Sequence, residues 1–456
     1  MSTMRLGARS RWRSRTTFVL ALSASAVGLG NLWRFSYVAG EQGGAPFVVT
    51  YILCLFLVAV PLMVAEIVIG SHGRGGPVAS LRWVADRSLL SRNWSILGWL
   101  ACATGILILG YYAVVAGWAL AYARFLQSGQ FSAASAQLVG QHFADFVAEP
   151  ARQVYWLTLF LALAGGFVLL GVRRGLGMMV WLAVPCLLAL LAVLVKFSFD
   201  YGDLPAAREF LFSVKWVDFS RESTLVALGH AFFTLGIGVG TGITYGAYAP
   251  GRIPIGRSVM AVAVFDTMIA LLVGLAIFPL LFANNIAPSS GPGLMFISLP
   301  YAFGNLYQGE LFGAMFFLLV VVVALGSAVA LLEPPVQTLV QQARLRRFTA
   351  VMLVLPTVWL ISLAVVLGMA PGEGTSWLAN GKLFVFLDRF TAQCLLPLVS
   401  LGTALLVGWR LKPRLLRHEL YRESDLLFTW WHLMLRYLAP AAIGLLVFAA
   451  LIGAGA

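Results

Sequence analysis

Charged residues and cysteines are scarce in this sequence. Charged side chains make up 11% of its 456 residues, and the four cysteines, Cys54, Cys102, Cys186 and Cys394, all lie within apolar stretches. No two cysteines have the spacing of metal ligands, so we interpret all four as small buried hydrophobic residues. The sequence also contains no His/Cys metal cluster, no pairing of a nucleophile with a base and no phosphate-binding loop, so we do not expect an enzyme.

Long polar segments are also missing from the sequence, and most of the chain consists of apolar segments. Hydrophobic residues make up 60% of the chain and the mean hydropathy is +0.89, a balance that excludes a soluble domain of this size. The sequence therefore predicts an all-α polytopic membrane protein without a cleavable signal peptide. Eleven apolar stretches are long enough to cross a bilayer: 17–40, 45–70, 96–126, 154–171, 176–199, 224–248, 257–284, 310–341, 347–369, 384–411 and 431–454.

The net charge of +13 is distributed unevenly between the loops. Arginines precede the first apolar stretch and recur in alternate loops, whereas acidic residues such as Asp145, Asp200 and Asp218 lie in the loops between them. This is the positive-inside pattern, which predicts a cytoplasmic N-terminus and an external C-terminus. It argues against a nucleic-acid partner, and the alternative of a basic lipid-binding face requires no separate domain.

The first apolar stretch is interrupted in its middle by Gly28, Gly30, Asn31 and Arg34. Unpaired backbone groups survive at this depth only where they line a cavity or are buried in protein. The N–H groups after such a break favour an anion, and the carbonyl groups before it favour a cation. Asn31 can serve as a helix cap, as a cation ligand or as both. The segment predicts a site for a ligand that carries a carboxylate together with a cation.

A second interruption lies in the sixth stretch, where Gly236, Gly238, Gly240 and Gly242 alternate. Each glycine weakens a helix by roughly 1 kcal/mol relative to alanine. The alternative is a packing face, because Gly238 and Gly242 form a GxxxG motif. The first and sixth stretches, however, begin two successive sets of five. Interrupted helices at matching positions of inverted halves indicate a transport site near the membrane midplane.

Asp266 places a carboxylate inside the seventh stretch. An ionisable group at this depth is costly, so we interpret it as functional; the alternative is a buried structural ion pair. Thr234, in the sixth stretch, is ambiguous on its own, because threonine hydroxyls often bond to their own helix.

Six short motifs are distinctive: AVGLGNLWRF at 26–35, EQGGAPF at 41–47, PLMVAE at 61–66, YY at 111–112, FFTL at 232–235 and FISLP at 296–300. They closely resemble motifs of the neurotransmitter:sodium symporter family, in its bacterial branch, and the resemblance extends over nearly the whole chain. It implies the five-plus-five inverted-repeat fold of the bacterial leucine transporter, with 11 transmembrane helices of which helices 1 and 6 are unwound. It also implies sodium-coupled import of an amino acid by alternating access. A non-transporting amino-acid receptor on the same fold is the alternative.

The resemblance further implies an organisation, a location and an oligomeric state. We expect a bacterial inner-membrane protein that is a monomer or a homodimer. The segments expected are a cytoplasmic N-terminal latch (1–16), a first repeat with helices 1–5 (17–199), an extracellular loop (200–223), a second repeat with helices 6–10 (224–411), and a cytoplasmic loop with helix 11 (412–456).

One or two sodium ions are implied by the same resemblance. The first site would consist of the Ala26 carbonyl, the side chains of Asn31, Thr234 and Asp266, and the substrate carboxylate. The second would consist of the carbonyls of Ala24, Val27 and Val323 and the hydroxyl of Ser327. Gly326 stands where relatives supply a further oxygen ligand, which leaves the affinity of the second site and the ion stoichiometry open. A water is one replacement for the missing ligand, and we expect a serine at 326 to strengthen the site.

Chloride is not expected to be required. Many relatives have an amide at the position of Asp266 and use chloride nearby. Here His230 and Ala270 occupy positions of the matching chloride region, and an ionised Asp266 would itself supply the negative charge.

A substrate pocket is implied between the two interrupted helices. Gly28 carries no acidic side chain to hold an amine, which fits a substrate with its own carboxylate. Gly236 and Val239 are small, which leaves room for a hydrophobic or aromatic side chain. The residues expected to bind substrate are Ala26, Gly28, Gly30, Ile108, Tyr112, Phe233, Thr234, Gly236, Val239, Ser327 and Leu331.

Two gates are implied on either side of the pocket. Arg34 would pair with Asp388 on the outer side, above a lid formed by Phe233. On the inner side Arg9 and Trp12 match an N-terminal latch. Gln341 replaces the acidic partner of that latch, so we expect closure through Tyr248 and backbone groups. Glu66 is expected to support the unwound backbone.

Overall fold

The computed structural model of the chain describes residues 11–213, 221–251, 253–286, 293–369 and 381–453. These residues form helices joined by short turns, and no strand occurs among them. A helix satisfies its own backbone hydrogen bonds, as an apolar segment in lipid must. The first helix also has a polar start, because the Thr17 amide donates to the side chain of Ser14 at 3.1 Å.

Nine helices lie in the first half of the described chain. They are α1 Arg15–Ala26, α2 Gly30–Glu41, α3 Ala45–Gly73, α4 Pro77–Arg87, α5 Arg92–Gln127, α6 Ala136–Ala148, α7 Pro150–Leu169, α8 Val172–Tyr201 and α9 Leu204–Phe212.

Nine more helices follow in the second half of the described chain. They are α10 Arg221–Thr234, α11 Thr241–Ala247, α12 Ile255–Ala283, α13 Leu294–Gly304, α14 Gly309–Gln342, α15 Arg347–Met369, α16 Lys382–Arg410, α17 Pro413–Glu419 and α18 Asp425–Ala449.

Within the described ranges, nine helices are long and apolar enough to cross a membrane: α3, α5, α7, α8, α12, α14, α15, α16 and α18. The pair α1 and α2 passes the same test together, with a bend of 50° at its break. Helices α10 and α11, in the sixth apolar stretch, are each too short to span alone. The all-helical, multi-spanning architecture is confirmed, and the total of eleven spans stays a prediction.

The break between α10 and α11 is made by glycines. Gly236, Gly238 and Gly240 have φ angles of +62°, +86° and +76°, a region in which residues with a Cβ are strained. The chain can therefore leave the helix after Thr234 and resume it at Thr241. This local chemistry permits the interruption at these positions.

The interior of the bundle is formed by the elements that carry the unusual polar residues. Helix α5 packs along α14, and α11 packs against α3. Asn31, Glu66, Asp266 and Glu333 are fully buried. By contrast, large apolar side chains such as Leu182 on α8, which is 68% exposed, face outward. This distribution is expected of a protein whose solvent is lipid.

Candidate functional site

The two breaks face a single cavity near the middle of the bundle. It contains about 540 Å³ of atom-free space and is bounded by α1, α2, α5, α10, α11, α14 and α16 together with both breaks. Every residue expected to bind substrate lines it: Ala26, Gly28, Gly30, Ile108, Tyr112, Phe233, Thr234, Gly236, Val239, Ser327 and Leu331. The structure therefore brings the whole predicted set together, and a binding role for it stays a prediction.

Further residues complete the wall of the cavity without having been expected there: Ser25, Leu29, Thr241, Ala330 and Leu396. Ser25 and Leu29 adjoin the predicted break, so extending the prediction to the whole interrupted segment would have included them. The other three reach the cavity only because α11, α14 and α16 converge on it. No local sequence pattern marks that convergence.

The backbone of the first break is held by side chains instead of by helical hydrogen bonds. The Gly28 amide donates to Asn31 Oδ1 at 3.1 Å, and the Leu29 amide lies 3.4 Å from the Tyr112 hydroxyl oxygen. In a continuous α-helix these amides would bond to Ala24 and Ser25. Asn31 therefore acts as a local cap, and the carbonyls at the end of α1 are released from helical bonding.

Asp266 lies at the centre of a buried polar cluster that includes Thr234, a residue of the cavity wall. Its carboxylate accepts hydrogen bonds from Asn31 Nδ2 at 2.9 Å, from the Thr234 hydroxyl at 3.0 Å and from the Tyr51 hydroxyl at 3.0 Å. All three donors are neutral groups. No lysine or arginine of the described residues forms an ion pair with Asp266, which excludes, for that part of the chain, the structural ion pair considered above.

Tyr51 was missing from the expected set of site residues. It lies on α3, fully buried, and it reaches Asp266 on α12. The sequence offered only a tyrosine in an apolar helix, a residue that more often ends at a membrane interface. His230 is buried beside it: the two ring centres are 5.1 Å apart, and the imidazole also contacts Phe35 and Phe47. Neither ring nitrogen of His230 has a hydrogen-bond partner within the described residues.

Three of the four residues of the implied second sodium site lie at a separate, smaller cavity, whose empty space together with the open solvent at its mouth is about 220 Å³. Ala24, Val27 and Val323 line it. The Ser327 hydroxyl lies beside them, 3.3 Å from the Ser25 carbonyl oxygen and 3.4 Å from that of Val27. The remaining lining residues are Ala183, Val184, Leu187, Val322 and Gly326.

The expectation that a serine at 326 would add a ligand is wrong in this conformation. A Cβ built on Gly326 would lie 2.3 Å from the Ala24 carbonyl oxygen, far closer than non-bonded atoms approach. The sequence shows a lost hydroxyl at this position. The structure shows a glycine that the close approach of α1 to α14 requires.

The outer gate pair is formed. Arg34 Nη1 lies 3.8 Å from Asp388 Oδ1, and the Arg34 guanidinium lies 5.2 Å from the ring centre of Phe233. Phe233 lines the cavity directly beneath. The predicted geometry of a charge pair above an aromatic lid is therefore present, although its role in gating stays a prediction.

Trp12 contacts Tyr248, its expected neighbour in the inner gate, and the role of the two residues in closure stays a prediction. The Trp12 backbone amide donates to the Tyr248 carbonyl at 2.9 Å and its indole N–H to the Tyr245 carbonyl at 3.3 Å. The indole is 2% exposed and meets both tyrosine rings edge-on. Arg9 lies outside the described residues. Gln341, which replaces its acidic partner, accepts instead from the Gly76 amide at 2.7 Å.

A buried ion pair below the cavity was not expected. Glu333 on α14 is fully buried and bonds to both Arg347 nitrogens, at 3.0 and 2.5 Å. The Tyr248 hydroxyl donates to Glu333 Oε1 at 2.5 Å. Tyr248 thus makes contacts at the predicted inner gate through its side chain as well as its backbone. The signal in the sequence was an acid followed by Pro334 and Pro335 inside an apolar stretch.

Glu66 lies on α3 and supports the second break. Its Oε1 accepts from the Gly238 amide at 2.8 Å, so a buried carboxylate satisfies a backbone donor that the interrupted helix leaves free. Glu66 does not line the substrate cavity. This placement agrees with the interpretation of Glu66 as a support for the unwound backbone.

Comparisons with known proteins agree on one family. A model of the sodium:neurotransmitter symporter family matches residues 9–133 and 141–454. The uncharacterized sodium-dependent transporter YhdH of Bacillus subtilis is 32% identical over 452 residues, which cover 97% of this chain and 98% of that protein. An uncharacterized sodium-dependent transporter of Haemophilus influenzae is 28% identical, with coverages of 95% and 96%. The crystal structure of MhsT in complex with L-phenylalanine matches with a TM-score of 0.89 at 35% identity, covering 97% of this chain and all of that one.

Proposed function

Because the chain belongs to the sodium:neurotransmitter symporter family, and is therefore a sodium-coupled membrane transporter, we propose that it imports a hydrophobic or aromatic amino acid by alternating access. The observation that carries this proposal is the cavity between the two helix breaks. It combines the interrupted backbone and the Tyr112 hydroxyl at one end with apolar side chains at the other. An amino acid has the same division between its backbone groups and its side chain.

The polar end of the cavity fits a substrate carboxylate. The Leu29 amide donates to the Tyr112 hydroxyl oxygen there at 3.4 Å, which leaves the Tyr112 O–H to donate to an anion. A Cβ on Gly28 would lie 2.7 Å from the Ser327 hydroxyl oxygen. An acidic side chain at this position, which would bind an amine ligand lacking a carboxylate, would require the Ser327 hydroxyl to move.

The apolar end of the cavity favours a sizeable hydrophobic side chain. Ile108, Val239 and Leu331 form its walls, and Gly236 adds no side chain. MhsT, which has the same fold, was solved with L-phenylalanine bound, so phenylalanine is the natural first probe for this chain.

One sodium ion would bind among Asn31, Thr234, Asp266 and the carbonyl of Ala26. The Asp266 carboxylate is buried among neutral donors, and a cation beside it would compensate its charge. Oxygen ligands suit a hard cation. The same carboxylate makes an added anion unnecessary, so we propose transport without a requirement for chloride.

The proposed topology has eleven spans in the bacterial inner membrane, with α1 and α2 forming the first and α10 and α11 the sixth. The N-terminus would be cytoplasmic and the C-terminus external, in line with the arginine distribution. The repeats would comprise residues 17–199 and 224–411, flanked by the latch at 1–16 and the segment 412–456. The protein would act as a monomer or a homodimer.

A closed contact on each side of the cavity favours a transporter over a receptor. Arg34 and Asp388 meet above it, and Trp12 and Tyr248 meet below it. A receptor on this fold needs to open on one side only. Alternating access requires two closures that open in turn, and residues for both are in place.

Uptake into proteoliposomes tests the proposal. We expect radiolabelled L-phenylalanine to accumulate under an inward sodium gradient, to be lost when choline replaces sodium, and to be unaffected when gluconate replaces chloride. Competition by unlabelled amino acids then ranks the substrates. Sodium-dependent binding without uptake would identify a receptor, and competition only by small polar amino acids would contradict the proposed substrate class.

A further inference from the structure

The family resemblance implies two sodium sites, but the two sets of residues differ in kind. The first set, Asn31, Thr234 and Asp266, contains an anion and two polar side chains that meet within hydrogen-bond distance. The second set offers backbone carbonyls and one hydroxyl, and the cavity it surrounds is otherwise lined by alanine, valine, leucine and glycine. Removing a cation from water into such surroundings is costly when no anion compensates it.

The oxygen atoms of the second set also contact other groups of the protein. The Ser327 hydroxyl lies within hydrogen-bond distance of the Ser25 and Val27 carbonyl oxygens. Val27 is one of the carbonyls that a second sodium would need. In this conformation the Ser327 hydroxyl on α14 contacts the backbone at the end of α1.

The approach of the two helices leaves no space for the missing ligand. The Ala24 carbonyl oxygen would be 2.3 Å from a Cβ on Gly326. A serine or threonine at this position would place its oxygen one bond beyond that Cβ, between α1 and α14. The Ala24 carbonyl occupies this space, so the backbone of α1 packs directly against the backbone of α14 at Gly326.

We propose that this transporter couples to a single sodium ion, bound by the set with Asp266, and that direct contact between α1 and α14 takes the place of the second ion. The inference rests on the proposed sodium-coupled transport. Movement of α1 away from α14 would then require separation of Ala24 from Gly326 and of Ser327 from the Ser25 and Val27 carbonyls.

Counting bound ²²Na⁺ on the purified full-length protein tests the inference. We expect a single sodium ion per protein at saturation, both alone and with L-phenylalanine. Thr234→Ala should remove nearly all bound sodium, because its hydroxyl belongs to the only site. Thr357→Ala is the matched control: this exposed hydroxyl on α15 bonds only to the Leu353 carbonyl of its own helix, and the variant should bind sodium as the unmodified protein does.

Transport provides the second measurement. In proteoliposomes we expect one sodium ion to enter with each L-phenylalanine and the sodium dependence of uptake to show no cooperativity. Two bound ions, two ions per phenylalanine, or a full ion remaining in Thr234→Ala would each overturn the inference while leaving sodium-coupled transport intact. Absence of phenylalanine uptake would instead count against the proposed substrate, and the ion count would still distinguish one site from two.

Discussion

Arg34 and Asp388, which are far apart in the sequence, meet at 3.8 Å directly above the substrate cavity. Their side chains are 26% and 34% exposed, so water screens the pair and its static contribution is about 1 kcal/mol or less. The same guanidinium lies over Phe233. The pair is therefore too weak to clamp the cavity permanently and well placed to open and close in each cycle.

Replacing Asp388 with asparagine should impair transport more than binding. We expect the Kd for L-phenylalanine to change by no more than about fivefold, the equivalent of about 1 kcal/mol, and the initial rate of uptake to fall further than that. Binding to solubilised protein and uptake into proteoliposomes measure the two effects. Arg389→Gln, which alters an exposed neighbour, is the control. Equal losses of binding and uptake in Asp388→Asn would contradict a gating role.

Asp266→Asn should weaken sodium-dependent binding of phenylalanine. The substitution keeps the size of the side chain but removes the buried negative charge that three neutral donors now stabilise. Since hydrogen bonds to a charged group contribute about 1.5–3 kcal/mol, we expect the sodium concentration for half-maximal binding to rise at least about tenfold. Any binding that remains should respond to chloride.

The matched control for this variant is Asp200→Asn. That aspartate is 49% exposed and pairs only with Lys196 on the helix surface, where an ion pair contributes little. Unchanged sodium affinity in Asp266→Asn would show that the carboxylate is structural and would remove it from the sodium site.

Gly326→Ala should destabilise the protein, in contrast to the gain that the sequence suggested. Its Cβ would overlap the Ala24 carbonyl oxygen, and overpacking of this kind costs about 1–3 kcal/mol. Gly166→Ala is a close control, because a Cβ there, inside α7, meets no atom within 4 Å. It should raise stability, since alanine is the better helix former by about 1 kcal/mol. Thermal unfolding in detergent compares the two, and equal melting temperatures would contradict the tight helix contact.

The helix breaks and the cavity between them could be predicted from the sequence because they depend on local residue chemistry. Glycines, an asparagine and an aspartate stand out in apolar stretches, and glycine permits the positive φ angles found at Gly236 and Gly238. The roles of Tyr51 and Leu396 could not be predicted from the sequence. Each has an ordinary side chain that becomes part of the site only when its helix is placed against another.

Gly326 illustrates the same limit more sharply. Comparison with a family pattern identifies the atom that is absent, a hydroxyl oxygen. It cannot identify the atom that has taken the space, because the position of the Ala24 carbonyl depends on the diverted hydrogen bond of Gly28 and on the packing of α1 against α14. The contact between Glu333 and Arg347 was not predicted for a similar reason, since the partner lies on the next helix, at the first residue of α15.

Arg347→Met should destabilise the inner side strongly. It leaves the fully buried Glu333 carboxylate without its cation, and breaking a buried pair in this way typically costs about 3–5 kcal/mol. Adding Glu333→Gln to the same protein should recover part of the loss, because the stranded charge is then removed. Arg346→Met changes an exposed neighbour and should alter stability by no more than about 0.5 kcal/mol. A double variant no more stable than Arg347→Met would show that the loss comes from packing.

Acid should weaken the contact of Glu419 with Ser71 and His72, which we call the Glu419 tether and which lies on the predicted cytoplasmic side. Glu419, at the end of α17, accepts hydrogen bonds from Ser71 and from His72 Nδ1, the latter at 3.1 Å, and so joins α17 to the end of α3. Burial raises the pKa of the Glu419 carboxyl. The hydrogen bonds from His72 and Ser71 and the neighbouring His72 and Arg74 outweigh that effect, so its pKa lies below the ordinary value of 4.5.

A carboxyl whose pKa is lower in the folded state than in the unfolded state binds protons more readily after unfolding. The stability that Glu419 contributes is therefore fully present above its unfolded pKa and is lost as the pH falls through the lower, folded value. We expect Glu419→Gln to reduce the melting temperature near neutral pH and the difference from the unmodified protein to shrink below about pH 4.5. Glu149→Gln, at an exposed surface pair with Arg152, should show little difference at any pH. A melting-temperature difference for Glu419→Gln that stays constant from neutral to acidic pH would mean that the tether depends on shape and not on the charge of the carboxylate.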